Sequence, residues 1–131
     1  MLVDFVPITL LSGSSFVSIT DNGLNFNKNV LLRMNRPEYV VLLLNVQKKQ
    51  LAIKTCEKND SNAVAFFKLG SDVKYGVRLH NKDLENMLSS LMNWNLKKSN
   101  YRIDGTYIKD ECAMVFNLNE ARQFAKKSIK K

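Results

Sequence analysis

The chain has 131 residues, of which 45% are hydrophobic and 24% are charged, with two prolines and five glycines. This composition excludes the disordered and collagen-like classes of protein, and it predicts a single globular domain over residues 1–131 that is large enough to bury a core. Twenty basic and 12 acidic residues give a net charge of +8, which favours polyanionic partners such as DNA.

A hairpin and a short helix are the first predicted elements. Residues 16–20 alternate between apolar and polar side chains, Asp21-Asn22-Gly23 follows as a turn, and residues 24–26 return as a strand. Asn27 is then placed to cap a short helix, which Pro37 stops. The start of the chain therefore predicts the order strand, strand, helix.

A second hairpin follows, formed by residues 39–46 and 51–55 around a charged turn. Its first strand is apolar on both faces from Val40 to Leu44, a pattern typical of a strand that is buried on both sides. If one of those faces were left bare, it would point to an oligomer.

The second half of the chain predicts the same order of elements. Residues 62–68 and 76–79 are predicted strands, and Asn81 caps a longer helix with an apolar stripe. Residues 101–108 and 112–118 then form a terminal hairpin. The pattern therefore predicts two pseudo-repeats, residues 16–57 and residues 62–118.

A basic helix is predicted at the C-terminal end, over residues 119–131. Asn119 is placed to cap it, and five bases with no acid follow residue 120. The complete prediction is an α+β fold in which duplicated β-β-α-β-β units form a mainly antiparallel sheet or small barrel, closed by this helix.

A glycine turn, a short strand and a stubby helix follow one another in residues 19–34, ITDNGLNFNKNVLLRM. This order resembles the swapped-hairpin DNA-binding domains of the AbrB, MazE and MraZ type, and MraZ carries two such units in one chain. The resemblance covers residues 16–118 and implies a DNA-binding regulator of transcription. The arginine that follows the turn glycine in these families is replaced by Leu24 here, and by Val77 after Gly76.

Phosphate contacts require lysine and arginine side chains on one surface. The predicted nucleic-acid-binding residues lie around the short helix after Asn27, around the longer helix after Asn81, and in the C-terminal tail. They are Lys28, Arg33, Arg36, Lys74, Arg78, Lys82, Lys126 and Lys127. These residues favour DNA as the partner. The alternative is a protein-protein interaction module, such as an antitoxin-like or mobile-element accessory protein, which contacts a protein partner or a second copy of the chain through an apolar patch.

Signals for an enzyme are missing from the sequence. His80 is the only histidine, and no Ser/His/Asp arrangement, CxxC pair or glycine-rich phosphate loop accompanies it. We therefore predict no catalytic activity, cofactor, metal or small-molecule substrate. The most apolar run, residues 39–46, is far shorter than the roughly 20 residues of a membrane helix, and two isolated cysteines favour the reducing cytoplasm.

Overall fold

A curled antiparallel sheet, shaped like half a barrel, dominates the computed structural model, which describes residues 3–5 and 13–125. The strands in this part of the chain are β1 (Phe16–Thr20), β2 (Gly23–Phe26), β3 (Tyr39–Asn45), β4 (Gln50–Thr55), β5 (Val64–Ala65), β6 (Val77–Leu79), β7 (Ser99–Ile108), β8 (Ala113–Asn117) and β9 (Arg122–Ala125). The helices are α1 (Lys28–Arg33) and α2 (Lys82–Met92), with 3-10 turns at Val73–Tyr75, Lys109–Glu111 and Leu118–Glu120.

The long strand β7 joins the two halves of the sheet. The strands follow the order β5-β3-β4-β8-β7-β1-β2-β6, and β9 also pairs with β7. Residues 101–104 of β7 pair with β1, whereas residues 105–108 pair with β8. We call β6, β2, β1, β9 and the first part of β7 the A half, and β5, β3, β4, β8 and the last part of β7 the B half.

Gly105 lies where β7 passes from one half to the other. Its backbone N–H donates a hydrogen bond to the carbonyl oxygen of Ser15, 2.8 Å away, and its residue pair in β8 is Phe116. A Cβ atom on Gly105 would lie 2.7 Å from the Phe116 ring and 2.8 Å from the sulfur of Met114. Glycine at this point therefore lets the core side chains of β8 pack directly against the β7 backbone.

The core fills the inner side of the curled sheet. Phe26 of the A half and Phe116 of the B half are both fully buried, and their ring centroids lie 5.7 Å apart. Helix α1 contributes Val30 and Leu31 to this core, and α2 contributes Leu88. Both helices therefore pack on the inner side, and the opposite face of the sheet is its outer face.

The predicted fold class is wrong. The structure is mostly antiparallel sheet, and among the described residues α2 is the one helix of seven or more residues. In place of the predicted C-terminal helix, Asn117 caps a short 3-10 turn, and β9 then pairs with residues 99–102 of β7. Because β8 pairs with residues 105–108 alone, this edge of β7 offers free backbone groups, and their pairing outweighs the helical pattern of the tail.

The two predicted pseudo-repeats, residues 16–57 and 62–118, pair extensively with each other, and their first hairpins differ. In residues 16–57, β1 and β2 form a hairpin, whereas β5 pairs with β3 and β6 pairs with β2 at opposite ends of the sheet. Each of the first four strands pairs with a later one: β1 with β7, β2 with β6, β3 with β5, and β4 with β8. The two segments are thus interleaved within one sheet.

Several local predictions are confirmed. The hairpin of residues 16–26 forms, with Asp21 and Asn22 as its turn. Asn27 and Asn81 cap α1 and α2, since their side-chain oxygens accept hydrogen bonds from the backbone of Val30 at 3.2 Å and Leu84 at 2.9 Å. These features depend on neighbouring residues, so the sequence pattern is sufficient to predict them.

Candidate nucleic-acid interface

Three arginines lie in one line across the outer face of the A half. Residues that are directly opposite in antiparallel strands point to the same face of a sheet. The register places Arg78 of β6 opposite Asn25, Asn25 opposite Ser18, Ser18 opposite Arg102, and Arg102 opposite Arg122 of β9. We call these five residues the arginine row.

Alternation along the strands fixes the direction of the arginine row. Val17, Ile19 and Ile103, which flank row residues along their strands, are fully buried in the core. The row residues therefore point away from the core, and its three arginines are exposed. With neighbouring strands about 4.8 Å apart, the row spans about 19 Å of the outer face.

The guanidinium group of Arg102 lies between two aromatic rings, in an arrangement that we call the Arg102 stack. Its central carbon is 4.1 Å from the centroid of the Phe16 ring and 5.4 Å from that of the Phe124 ring. Both phenylalanines are half-buried and lie diagonally across from Arg102 on β1 and β9. Cation-π attraction on both sides holds the guanidinium in place.

Arg122 is the partly neutralised member of the arginine row. One guanidinium nitrogen lies 3.1 and 3.2 Å from the two carboxylate oxygens of Asp104. This pair is exposed, so its contribution to stability is small and an anion in solution can compete for the arginine. Arg102, Arg122 and Phe124 line a shallow cleft of about 250 Å³.

Of the predicted site residues, Arg78 lies in the arginine row. Lys28 and Lys74 are close to the same end of the sheet, because Gly76 packs against the backbone of Phe26 and Asn27, and α1 contacts the turn Val73–Tyr75. Lys74 is also engaged locally, with its ammonium 3.8 Å from a carboxylate oxygen of Asp72 and 5.1 Å from the Tyr75 ring centroid.

The other predicted cations lie outside the row. Lys82, at the start of α2, approaches the buried carboxylate of Glu85 at 3.9 Å, while Arg33 and Arg36 are exposed at the end of α1. Lys126 and Lys127 fall outside the described residues. Of the predicted cations that the structure describes, Arg78 alone thus lies in the arginine row, while Lys28 and Lys74 lie near the same end of the sheet. Arg33 belongs to the same short helix as Lys28, and Arg36 follows that helix.

Arg102, Arg122 and the two phenylalanines were not among the predicted site residues. The alternation of Tyr101 and Ile103 already places Arg102 on the opposite face of a strand, so this signal was present. Assigning Arg122 and Phe124 to a helix removed them from the sheet. The alignment of the row depends on the register between five strands, and a local sequence pattern does not determine that register.

The remaining reactive side chains do not form an activated nucleophile. Among residues 3–5 and 13–125, no three His, Cys, Asp or Glu side chains come together as metal ligands. His80 lies 3.8 Å from Glu85 and is largely exposed. Both cysteines are free, and burial, together with the nearby carboxylates of Asp60 and Glu57, raises the pKa of the Cys56 thiol. Catalytic thiols show the opposite shift.

We expect Cys56 to react more slowly with iodoacetamide at pH 8 than a small free thiol does, because its raised pKa leaves less of the reactive thiolate. Asp60→Asn removes one of the charges that raise this pKa, so the pH midpoint of alkylation should move downward. Alkylation rates measured by mass spectrometry between pH 7 and 10 test this, with Asp110→Asn as the control substitution. An unchanged midpoint in Asp60→Asn would contradict the assigned electrostatic cause.

The outer face of the B half has a different character. Leu43 of β3 and Ile108 of β7 are 46% and 41% exposed. The register joins Leu43 to Ala52, Val115 and Thr106 in one row across four strands. The strand that the sequence predicted to be apolar on both faces therefore presents one of them to solvent.

No protein-family model, curated protein or solved structure matches the chain. In the part of the chain that the structure describes, no helix combines the length and the apolar character needed to cross a membrane. The arrangement of charges and aromatic rings on the sheet is therefore the observation from which function can be argued.

Proposed function

We propose that this protein binds nucleic acid, with DNA as the expected form, through the outer face of the A half and without catalysing a reaction. The arginine row carries the proposal. Three exposed arginines lie in register across the row, and the polar side chains of Asn25 and Ser18 fill the positions between them. Arginine is suited to phosphate because its planar guanidinium donates paired hydrogen bonds.

The net charge and the free cysteines support the same proposal. A charge of +8 raises the encounter rate with a polyanion. Two unpaired thiols fit the reducing cytoplasm, where nucleic acid is accessible. A role in regulating transcription stays a prediction that depends on the resemblance alone.

Fluorescence anisotropy of labelled DNA tests the proposal on the full chain. We expect Arg102→Ala to weaken binding about tenfold at low salt, since a charged hydrogen-bonding partner is lost. Binding should also weaken steeply between about 50 and 200 mM salt, because each phosphate contact releases counterions. Lys109→Ala is the matched control: it removes the same charge just past the far end of β7, seven residues or about 23 Å from Arg102.

Two outcomes would overturn the proposal. One is an absence of binding at low salt by the unmodified chain. The other is an equal loss in Arg102→Ala and Lys109→Ala, which would mean that net charge alone attracts DNA. A chain ending at residue 125 removes Lys126 and Lys127 together with Lys130 and Lys131 while keeping β9, and we expect its binding to remain dependent on Arg102.

Self-association is a second candidate function, favoured by the apolar outer face of the B half. The occupant that fits this face is a second copy of the chain. Lys54 lies within it, 3.6 Å from a carboxylate oxygen of Glu111, and Glu57 and Asp60 line the same cleft of about 550 Å³. A twofold pairing would add the carboxylates of the second copy around this exposed lysine. Exposed leucine and isoleucine supply the apolar part of such a contact.

Sedimentation of the purified chain at micromolar concentration tests this second candidate. Self-association predicts a dimer that Leu43→Lys converts to a monomer, with Leu69→Lys as a control at another exposed leucine, outside this face. A monomer at all concentrations rules the second candidate out. The anisotropy experiment is independent of this result, because the two faces lie on different halves of the sheet.

A further inference from the structure

The Arg102 stack indicates what form of nucleic acid this face accepts, an inference that rests on the proposed function. The guanidinium carbon lies 4.1 Å from the centroid of the Phe16 ring and 5.4 Å from that of the Phe124 ring. Contacts with ring faces use none of the five N–H donors of a guanidinium, which lie in its plane. Within the described residues, the Arg102 guanidinium makes no hydrogen bond or ion pair. The group is therefore held in position with its donors unused.

The Arg102 side chain is preorganised for binding a ligand. An ordinary exposed arginine loses conformational freedom when it binds, whereas Arg102 has already been restricted by Phe16 and Phe124. Phosphate oxygens and the acceptor atoms of base edges both fit donors in this geometry. The stack is therefore suited to an acceptor-rich anionic ligand.

The two rings add a second type of contact. Phe16 and Phe124 are half-buried on an outer sheet face, so part of each ring remains accessible. Aromatic side chains on an open sheet stack with nucleic-acid bases, and the contact tolerates any base sequence. In a duplex, the flat sides of the bases are covered by their neighbours. Only an unpaired strand can use these rings.

The length of the arginine row also favours a single strand over a duplex. The arginine row crosses five strands and spans about 19 Å, whereas the major groove of B-DNA is about 12 Å wide and admits a two-stranded ribbon. Arg102 and Ser18, in the middle of the row, therefore cannot enter the groove to reach base edges. A duplex would contact this face through phosphates alone.

We propose that the outer face of the A half binds single-stranded nucleic acid, with its bases stacked on Phe16 and Phe124 and its phosphates along the arginine row. At about 3.4 Å per phosphate in a stacked strand, the row accommodates about four to six nucleotides. DNA and RNA share these chemical groups, so both are included in the test.

The test measures anisotropy of a labelled strand of about eight nucleotides, as DNA and as RNA, beside the same DNA sequence closed into a duplex hairpin. We expect the single strands to bind at least about tenfold more tightly than the duplex. Phe124→Leu should weaken single-strand binding about tenfold, as expected for the loss of one base stack, and should weaken duplex binding by clearly less, since a duplex loses only the positioning of Arg102. Tyr75→Leu, at an exposed ring outside the row, is the matched control.

A second variant and a crosslinking experiment distinguish the loss of a base contact from a folding defect in β9. Phe16→Leu, on β1, should have the same selective effect, and thermal unfolding of both variants checks that they remain folded. Light-induced crosslinking of an iodouracil-containing strand to the unmodified chain should label the peptides with Phe16 or Phe124. Labelling confined to other peptides overturns the inference.

The possible failures are distinguishable. If neither strand nor duplex binds, the proposed function fails and this inference fails with it. If the duplex binds as tightly as the strands, and Phe16→Leu and Phe124→Leu change neither, the proposed function stands and the single-strand inference is wrong. A preference for RNA over DNA strands supports the inference and replaces DNA as the expected partner.

Discussion

Gly76→Ala should destabilise the protein by more than about 3 kcal/mol, measured by urea unfolding. Gly76 has φ +68° and ψ −161°, a region that is essentially restricted to glycine. An added Cβ atom would also lie 2.2 Å from the carbonyl oxygen of Phe26. Because the neighbouring atom belongs to the backbone, the contact can be relieved only by separating β6 from β2.

Gly70→Ala is the matched control for this substitution. Gly70 also has a positive φ, +90°, but a Cβ atom there would meet no other atom within 4 Å. We expect a cost of about 1 kcal/mol from backbone strain alone. Equal costs for the two variants would show that Gly76 does not approach Phe26 closely in solution. Since β6 carries Arg78, Gly76→Ala should also weaken nucleic-acid binding.

Phe26→Ala should cost about 3 to 5 kcal/mol, the range for removing a fully buried aromatic ring. The Phe26 ring lies 5.3 Å from that of Phe66 and 5.7 Å from that of Phe116, so it joins the A half to the B half. Domains of this size have roughly 5 to 15 kcal/mol of stability, so this one change removes a large share of it.

Urea unfolding followed by tryptophan fluorescence and circular dichroism measures the effect. Phe26→Leu should cost less, because it keeps most of the apolar volume. Leu69 is 69% exposed, so the free energy of unfolding of Leu69→Ala should stay within about 0.5 kcal/mol of that of the unmodified protein. If Phe26→Ala cost no more than Leu69→Ala, the two halves of the sheet would not share one core.

Local sequence signals predicted the elements whose partners are nearby in the chain. The hairpin of residues 16–26 and the Asn27 and Asn81 caps depend on turn and capping residues within a few positions. The apolar stripe predicted for the longer helix forms on α2, where Leu88 is fully buried in the core. These predictions use short-range physics, which sequence patterns record directly.

Pairing between strands that are distant in the chain determined the features that the sequence pattern did not predict. Ala121, Phe124 and Ala125 have helical spacing, yet an unpaired edge of β7 draws residues 122–125 into the sheet as β9. Arg78 was predicted as part of a basic cluster with Lys74 and Lys82 around the second helix. Its alignment with Arg102 follows from strand pairings that join distant parts of the chain. Part of the candidate site was thus predictable as basic residues, but its geometry was not.

The interleaved pairing also shapes how the protein folds during synthesis. Residues 16–57 emerge from the ribosome before the strands with which they pair. Each of their four strands then lacks one neighbour, which is supplied later by β5, β6, β7 or β8. The apolar strand β3 meets water in the nascent chain until Val64 and Ala65 arrive to cover its free edge. A slow stage of translation between these segments would therefore lengthen the period in which the growing chain can aggregate.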